Sequence, residues 1–219
     1  MILKHLYLYP DLVEFNTRLD DLHVVRDQTR HICNFIERQL AQYKFSAEGF
    51  SRICVIGCSN SQKEMYIHSS QALSVPIQFD MNECRSVPKH KLGDYYAELL
   101  KTGLVRCATK YSIPLNEMLG WIDSLKGNDY RNEWTFKEKT FRKYGIKCRL
   151  DCVLTIDEFK LRLSINKKEE NLFDGIILTT PPDEISFHYR FKDIAIEGDK
   201  VVVTDRIGGA LFSATILAK

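Results

Sequence analysis

The sequence IAIEGDKVVV, residues 194–203, is typical of a β-hairpin and sets the class of the C-terminal part. Two apolar runs flank Gly198-Asp199, a dipeptide that suits a two-residue hairpin loop. From residue 146 onward, short runs rich in Val, Ile, Leu, Phe and Thr alternate with turn-like residues. They predict strands at Cys148–Ile156, Glu158–Ile165, Asp174–Thr180, Ile185–Phe191, Asp193–Ile196, Val201–Thr204 and Leu211–Leu217. We therefore expect a mainly antiparallel C-terminal sheet.

The N-terminal part has a strand–helix–strand pattern. Residues 2–9 carry bulky apolar groups on both faces, which predicts an interior strand. Apolar residues then recur at spacings of three and four from Leu19 to Tyr43, behind a cap at Asn16 or Thr17, and predict a long amphipathic helix. A second buried strand is predicted at Ser51–Gly57, and further strands are predicted at Met65–His68 and Leu73–Phe79.

In the middle of the chain, apolar residues at helical spacing predict two further helices, Lys91–Tyr111 and Leu115–Leu125. The predicted fold class is therefore α+β, with the N-terminal strand–helix–strand unit and the middle helices packed on the C-terminal sheet. We expect a single domain, 1–219. The polar residues 128–133 are a candidate boundary between a mixed α/β part, 1–130, and a β-rich part, 131–219.

Composition indicates a soluble, reduced protein. The net charge is +2, and no run of apolar residues is long enough for a transmembrane helix. The first ten residues lack the features of a signal peptide, and the seven cysteines are an odd number without framework spacing. Cys148 and Cys152 are expected about 13 Å apart along one strand face, too far to share a metal ion. We predict a cytoplasmic protein with free thiols and without a metal or a cofactor.

The segment Trp134–Arg149 is the most suggestive one for binding, since aromatic residues alternate in it with six Lys or Arg residues and one Glu. Such a segment can anchor an acidic protein partner, can bind nucleic acid, or can be a solvated edge whose aromatic rings lie in the core. Ribonucleoprotein-type signatures are absent, so nucleic acid is the less favoured partner. The candidate partner-binding residues are Trp134, Phe136, Phe141, Arg142 and Tyr144.

Catalytic spacing is not recognisable in the sequence. Gly57–Lys63 follows a predicted strand but has Gln62 where a phosphate-binding loop needs Gly, which favours a polar connecting loop. The six histidines are scattered, although His188, on the predicted strand Ile185–Phe191, could face a cleft. A cysteine nucleophile and a histidine base can also meet in space without a sequence signature, so a small enzyme with a Cys/His site remains an alternative.

The N-terminal block has a resemblance of its own. Tyr9–Phe15 and Arg26–Arg38, within the first 55 residues, are similar to small bacterial immunity proteins of contact-dependent or Rhs-type toxin systems. The resemblance implies a non-enzymatic protein that binds and neutralises a cognate toxin domain in the cytoplasm. Immunity proteins are often acidic because many nuclease toxins are basic, and this slightly basic chain departs from that pattern. The predicted contact residues apply to a partner whose contact surface is acidic. An immunity protein is the leading hypothesis, and a Cys/His enzyme or an RNA-binding module is the alternative.

Overall fold

The computed structural model describes residues 1–17 and 19–216. The chain divides into two compact units, Met1–Asn132 and Glu133–Lys219, and the division falls in the polar segment 128–133. Helices pack on mainly antiparallel sheets, so the predicted α+β class is confirmed. That the two units form a single domain stays a prediction. No helix among the described residues is long and apolar enough to cross a membrane.

The first unit contains a four-stranded sheet of order β1-β2-β4-β3, in which β1, β2 and β4 are parallel and β3 is antiparallel. Its strands are β1 (His5–Pro10), β2 (Arg52–Cys58), β3 (Tyr66–Ile67) and β4 (Ala72–Gln78). Its helices are α1 (Leu19–Tyr43), α2 (Met81–Ser86), α3 (Leu92–Ala108) and α4 (Leu115–Lys126), with a short 3-10 turn at Lys89–Lys91.

The core of this unit lies between the parallel strands and the helices. Leu6, Ile53 and Leu73 are register partners on one sheet face and are fully buried. On the same face, Gly103 of α3 lies against Val55, where a side chain would overlap with both valine methyl groups. The glycine is thus explained by close helix–sheet packing. Within this unit, α3 packs on β2 and β4, because buried parallel strands require a helix layer.

The second unit contains two antiparallel sheets. The four-stranded sheet has the order β5-β6-β7-β8, and the three-stranded sheet has the order β11-β10-β9. The elements are β5 (Asn132–Phe141), β6 (Ile146–Leu154), β7 (Phe159–Lys167), β8 (Glu170–Thr180), α5 (Glu184–Phe187), β9 (Asp193–Glu197), β10 (Lys200–Thr204) and β11 (Ala210–Thr215), with a 3-10 turn at Arg142–Tyr144.

Alternation along β6 and β7 directs every second side chain to the core of the second unit. Ile146 to Leu154 and Phe159 to Ile165 contribute these buried residues, which pack with Ile194, Val201 and Val203 of the three-stranded sheet. The Gly198-Asp199 hairpin occurs as predicted, with Glu197 opposite Lys200. Of the predicted last strand, Leu217 lies outside the described residues.

Two strand predictions need correction: β1, predicted as an interior strand, lies at the edge of its sheet, and Ile185–Phe191 is not a strand. Ile185–Phe191 begins within the short helix α5, whose N-cap is Asp183; the Ile185 amide donates to the Asp183 carboxylate at 3.3 Å. Phe187 and Phe191 are both buried, but Tyr189 between them is 48% exposed, so the two-residue alternation of a strand is absent here. His188 therefore ends a helix and does not lie on a strand.

Candidate protein-binding surface

The four predicted aromatic contact residues pack against the core of the second unit. Trp134 and Phe136 on β5 are half-buried, with ring centroids 6.2 Å from Phe159 and 4.8 Å from Phe191, respectively. Phe141 and Tyr144 are also partly buried against the same core. These four rings therefore hold β5 and the following turn in place. This arrangement agrees with the third interpretation of the segment, a solvated edge whose aromatic rings lie in the core.

Arg142, the fifth predicted contact residue, is exposed on the 3-10 turn that follows β5. The neighbouring Lys143 is exposed as well, and its ammonium lies 5.5 Å from the centroid of the Tyr144 ring. Gly145 closes the turn in the left-handed conformation, at φ 65°. This turn presents positive charge, whereas its aromatic residues face the unit.

A second exposed feature, not predicted from the sequence, begins at α5. The Phe187 ring stacks on Phe159 with centroids 3.8 Å apart and anchors this short segment to the core. Phe187 and Phe191 face inward, whereas the three positions between them face solvent, as does Ile185 before them. Ile185 is 76% exposed and Tyr189 is 48% exposed, and the Arg190 guanidinium lies 5.7 Å from the centroid of the Tyr189 ring.

The loop between β10 and β11 carries the most exposed large apolar residue described, Ile207, at 87%. The carboxylate of Asp205 accepts from the amides of Ile207, at 2.9 Å, and Gly209, at 2.7 Å. The amide of Asp205 donates in turn to the carbonyl of Gly209 at 2.9 Å. Gly208 has φ 91°, a conformation that favours glycine. The loop is therefore ordered by its own hydrogen bonds and displays Ile207 at its tip.

This loop is tied to the segment that follows α5. The Arg206 amide donates to the Tyr189 carbonyl at 3.0 Å, and the Arg206 guanidinium donates to Nε2 of His188 at 2.7 Å. Burial, followed by the charge of Arg206, lowers the pKa of His188, so the ring is a neutral acceptor at neutral pH. We call the resulting feature the Ile207 surface; it comprises Ile185, Tyr189, Arg190, Arg206 and Ile207.

The first unit has a polar cleft of about 510 Å³ beside the carboxyl ends of β1, β2 and β4. Its loops are joined by ion pairs and hydrogen bonds, since Lys63 lies 3.0 Å from the Asp11 carboxylate and Glu14 accepts from the Ser59 amide at 2.8 Å. Lys63 of the Gly57–Lys63 segment is thus held by carboxylates. This arrangement fits the polar connecting loop expected from the sequence rather than a phosphate cradle.

The seven cysteines are all buried. Burial raises the pKa of the Cys107 thiol to about 12 and that of Cys148 to about 11. It also raises the pKa values of Cys54, Cys58 and Cys84. These five thiols are therefore protonated at neutral pH and behave as small apolar side chains.

The predicted contact residues and the Ile207 surface both belong to the second unit. The sequence signal that could have located Ile207 is the run Asp205-Arg-Ile-Gly-Gly209, in which an Asp and two glycines frame one apolar residue between strands. Comparison of the chain with protein-family models, with curated proteins and with solved structures gave no match.

Proposed function

We propose that this chain is a bacterial immunity protein that acts in the cytoplasm by binding and neutralising a cognate toxin domain. The observation that carries the proposal is the exposure of Ile207, at 87%, on a loop that its own hydrogen bonds keep ordered. The resemblance of Tyr9–Phe15 and Arg26–Arg38 to immunity proteins supports the same class of function.

The composition of the Ile207 surface supports a protein partner. Tyr and Arg are the residue types that most often dominate binding energy at protein interfaces, and apolar side chains beside them exclude water. Burial of one Ile side chain stabilises a complex by roughly 1.5–3 kcal/mol. Because the loop is already ordered by Asp205, little conformational entropy is lost when a partner binds it.

The charges of this surface favour an acidic partner. Arg190 and Arg206 are exposed, and their two positive charges outnumber that of the half-buried carboxylate of Asp205, which accepts from loop amides. Arg142 and Lys143 add positive charge on another exposed turn of the same unit. An acidic toxin surface would be attracted to these groups, and the association rate would fall as ionic strength rises.

The test is binding of the purified full chain to the toxin domain encoded by the neighbouring gene, measured by isothermal titration calorimetry. We expect wild type to bind and Ile207→Asp to bind at least about 100-fold more weakly, since a buried carboxylate replaces an apolar contact. Ile176→Asp is the matched control, because Ile176 is a 48% exposed isoleucine on β8 of the same unit. Wild type that does not bind, or equal loss of binding in both variants, would contradict the proposal.

A further inference from the structure

Among the described residues, every sheet edge except that of β11 is covered by a helix, is only two residues long, or carries charged side chains. The edge of β1 is covered by α1: the Leu6 amide donates to Glu37 at 2.8 Å, Arg30 donates to the Leu6 carbonyl at 2.8 Å, and Thr29 donates to the Leu8 carbonyl at 2.7 Å. Side chains of a helix thus occupy the groups that an added strand would need.

The other edges are short, charged or bulged. β3 has two residues, and β5 carries the charged run Lys137-Glu138-Lys139. β8 has register shifts in its pairing with β7 and carries Glu170 and Asp174. β9 begins with Asp193 and ends with Glu197, and Lys139 donates to its Ile194 carbonyl at 2.7 Å. These are the devices by which natural sheets avoid unwanted strand pairing.

β11 is the exception. Its six residues, Ala210–Thr215, include no charged residue and no proline, and among the described residues β10 is its one strand neighbour. Its pairing with β10 shifts register at the Ala210 end, opposite Thr204, and is regular from Phe212 to Thr215. It directly follows the loop that displays Ile207, so its edge is continuous with the Ile207 surface.

The register identifies which amides face the open edge. Because Gly198-Asp199 is a two-residue turn, Glu197 and Lys200 are a hydrogen-bonded pair, and the amides of Val201 and Val203 point to β11 instead. Their partners Ala214 and Phe212 therefore bond to β10. Ile216 lies two residues after Ala214, and its amide also points away from the open edge, since it donates to the Asp199 carbonyl at 2.9 Å. By alternation, Ser213 and Thr215 direct their amide and carbonyl groups away from β10.

We infer that β11 accepts an extended segment of the partner protein as an added strand, which rests on the proposed function and specifies how the toxin is held. The segment pairs through Ser213 and Thr215. It carries a carboxylate at the Ala210 end, where Arg206 precedes the strand and Arg190 adjoins the loop. Main-chain hydrogen bonds supply affinity in this mode of recognition, and flanking side chains supply specificity.

The experiment compares two variants at Ser213 in calorimetric titrations with the toxin domain encoded by the neighbouring gene. Ser213→Pro removes the outward amide at a position where an edge strand tolerates proline, and Ser213→Ala retains it. We expect Ser213→Ala to bind like wild type and Ser213→Pro to bind about tenfold more weakly or worse, as for loss of one hydrogen bond of about 1.4 kcal/mol.

Amide hydrogen exchange of the wild-type chain by NMR tests the same inference without a variant. In the free protein, Phe212 and Ala214 should be protected while Ser213 and Thr215 exchange fast, and in the complex Ser213 and Thr215 should slow about tenfold or more. If the amides of Ser213 and Thr215 still exchange fast in the complex, or if β11 pairs with a second copy of the chain instead, strand addition is wrong while the proposed function stands. If the wild-type chain does not bind the toxin domain, strand addition and the proposed function both fail.

Discussion

Asp205 accepts a hydrogen bond from the backbone amide of Ile207, two residues further along the chain, at 2.9 Å. The same carboxylate oxygen binds the Gly209 amide at 2.7 Å, so one side chain fixes the whole β10–β11 loop. An exposed isoleucine on a disordered loop would lose entropy on binding. Held by Asp205, it is presented in one conformation, and this relationship makes Ile207 a credible anchor for a partner.

Replacement of Asp205 by Ala should therefore weaken partner binding, although residue 205 acts by ordering the loop and not by contacting the partner. Two charge-assisted hydrogen bonds are lost, and we expect about 1–2 kcal/mol lower stability and about tenfold weaker binding. Asp205→Asn retains an oxygen acceptor and should recover most of both. Chemical denaturation and calorimetry measure these effects. Equal behaviour of Asp205→Ala and wild type in both measurements would show that the loop does not depend on this carboxylate.

Gly103 and Gly120 form a matched pair for helix–sheet packing in the first unit. Gly103→Ala should destabilise the chain by about 1–3 kcal/mol, because the added methyl overlaps with Val55. Gly120→Ala on α4 should stabilise it by about 0.5–1 kcal/mol, since a methyl at this position meets no atom within 4 Å and alanine favours the helix. Urea unfolding measures both changes, and a stabilising Gly103→Ala would contradict the described packing.

Substitutions at Phe136 and Arg142 test which of the predicted binding residues belong to the core and which are available to a partner. Phe136→Ala removes a ring that lies 4.8 Å from Phe191, and we expect a loss of stability of about 2 kcal/mol or more. Arg142→Ala changes an exposed side chain and should alter stability by less than about 0.5 kcal/mol. Denaturant unfolding gives both values, and an unchanged stability of Phe136→Ala would mean that the ring is free to contact a partner.

Asp193 makes the stability of the second unit dependent on pH. Burial tends to raise its pKa, but bonds from Lys137, the Ile194 amide and Lys139 outweigh this effect and lower the pKa from 3.8 to about 2. The folded state thus favours the ionised carboxylate. The stabilisation is complete above pH 3.8 and is lost as the pH falls through about 2.

In a Trp121→Phe background, Trp134 fluorescence should report unfolding of this unit. We expect the midpoint of the unfolding transition to fall as the pH is lowered from about 4 to about 2. The fall should be steeper for the chain with Asp193 than for the chain with Asp193→Asn. Parallel pH profiles of the two chains would contradict the assigned role of this carboxylate.

The sequence contained enough information to predict the elements that are periodic or have distinct turn chemistry. The helix Leu19–Tyr43 and the Gly198-Asp199 hairpin were predictable for this reason. Ile185–Phe191 was not, because its run of apolar and aromatic residues also suits a strand, and the stacking of Phe187 on Phe159 that favours the inward turn is tertiary.

The candidate surface was harder to predict than the fold. The basic and aromatic segment at Trp134 was visible, but its composition does not tell which side chains face the core. Nor does the sequence reveal exposure at Ile207, because an isolated apolar residue beside two glycines has no periodicity. Both properties depend on how β5, β10 and β11 are placed in their sheets.

The most direct test of the proposed function is calorimetric titration of the wild-type chain, Ile207→Asp and Ile176→Asp with the toxin domain encoded by the neighbouring gene. We predict that the wild type and Ile176→Asp bind equally and that Ile207→Asp binds at least about 100-fold more weakly. Absence of binding by the wild type, or full binding by Ile207→Asp, would contradict the assignment of the Ile207 surface as the site of toxin neutralisation.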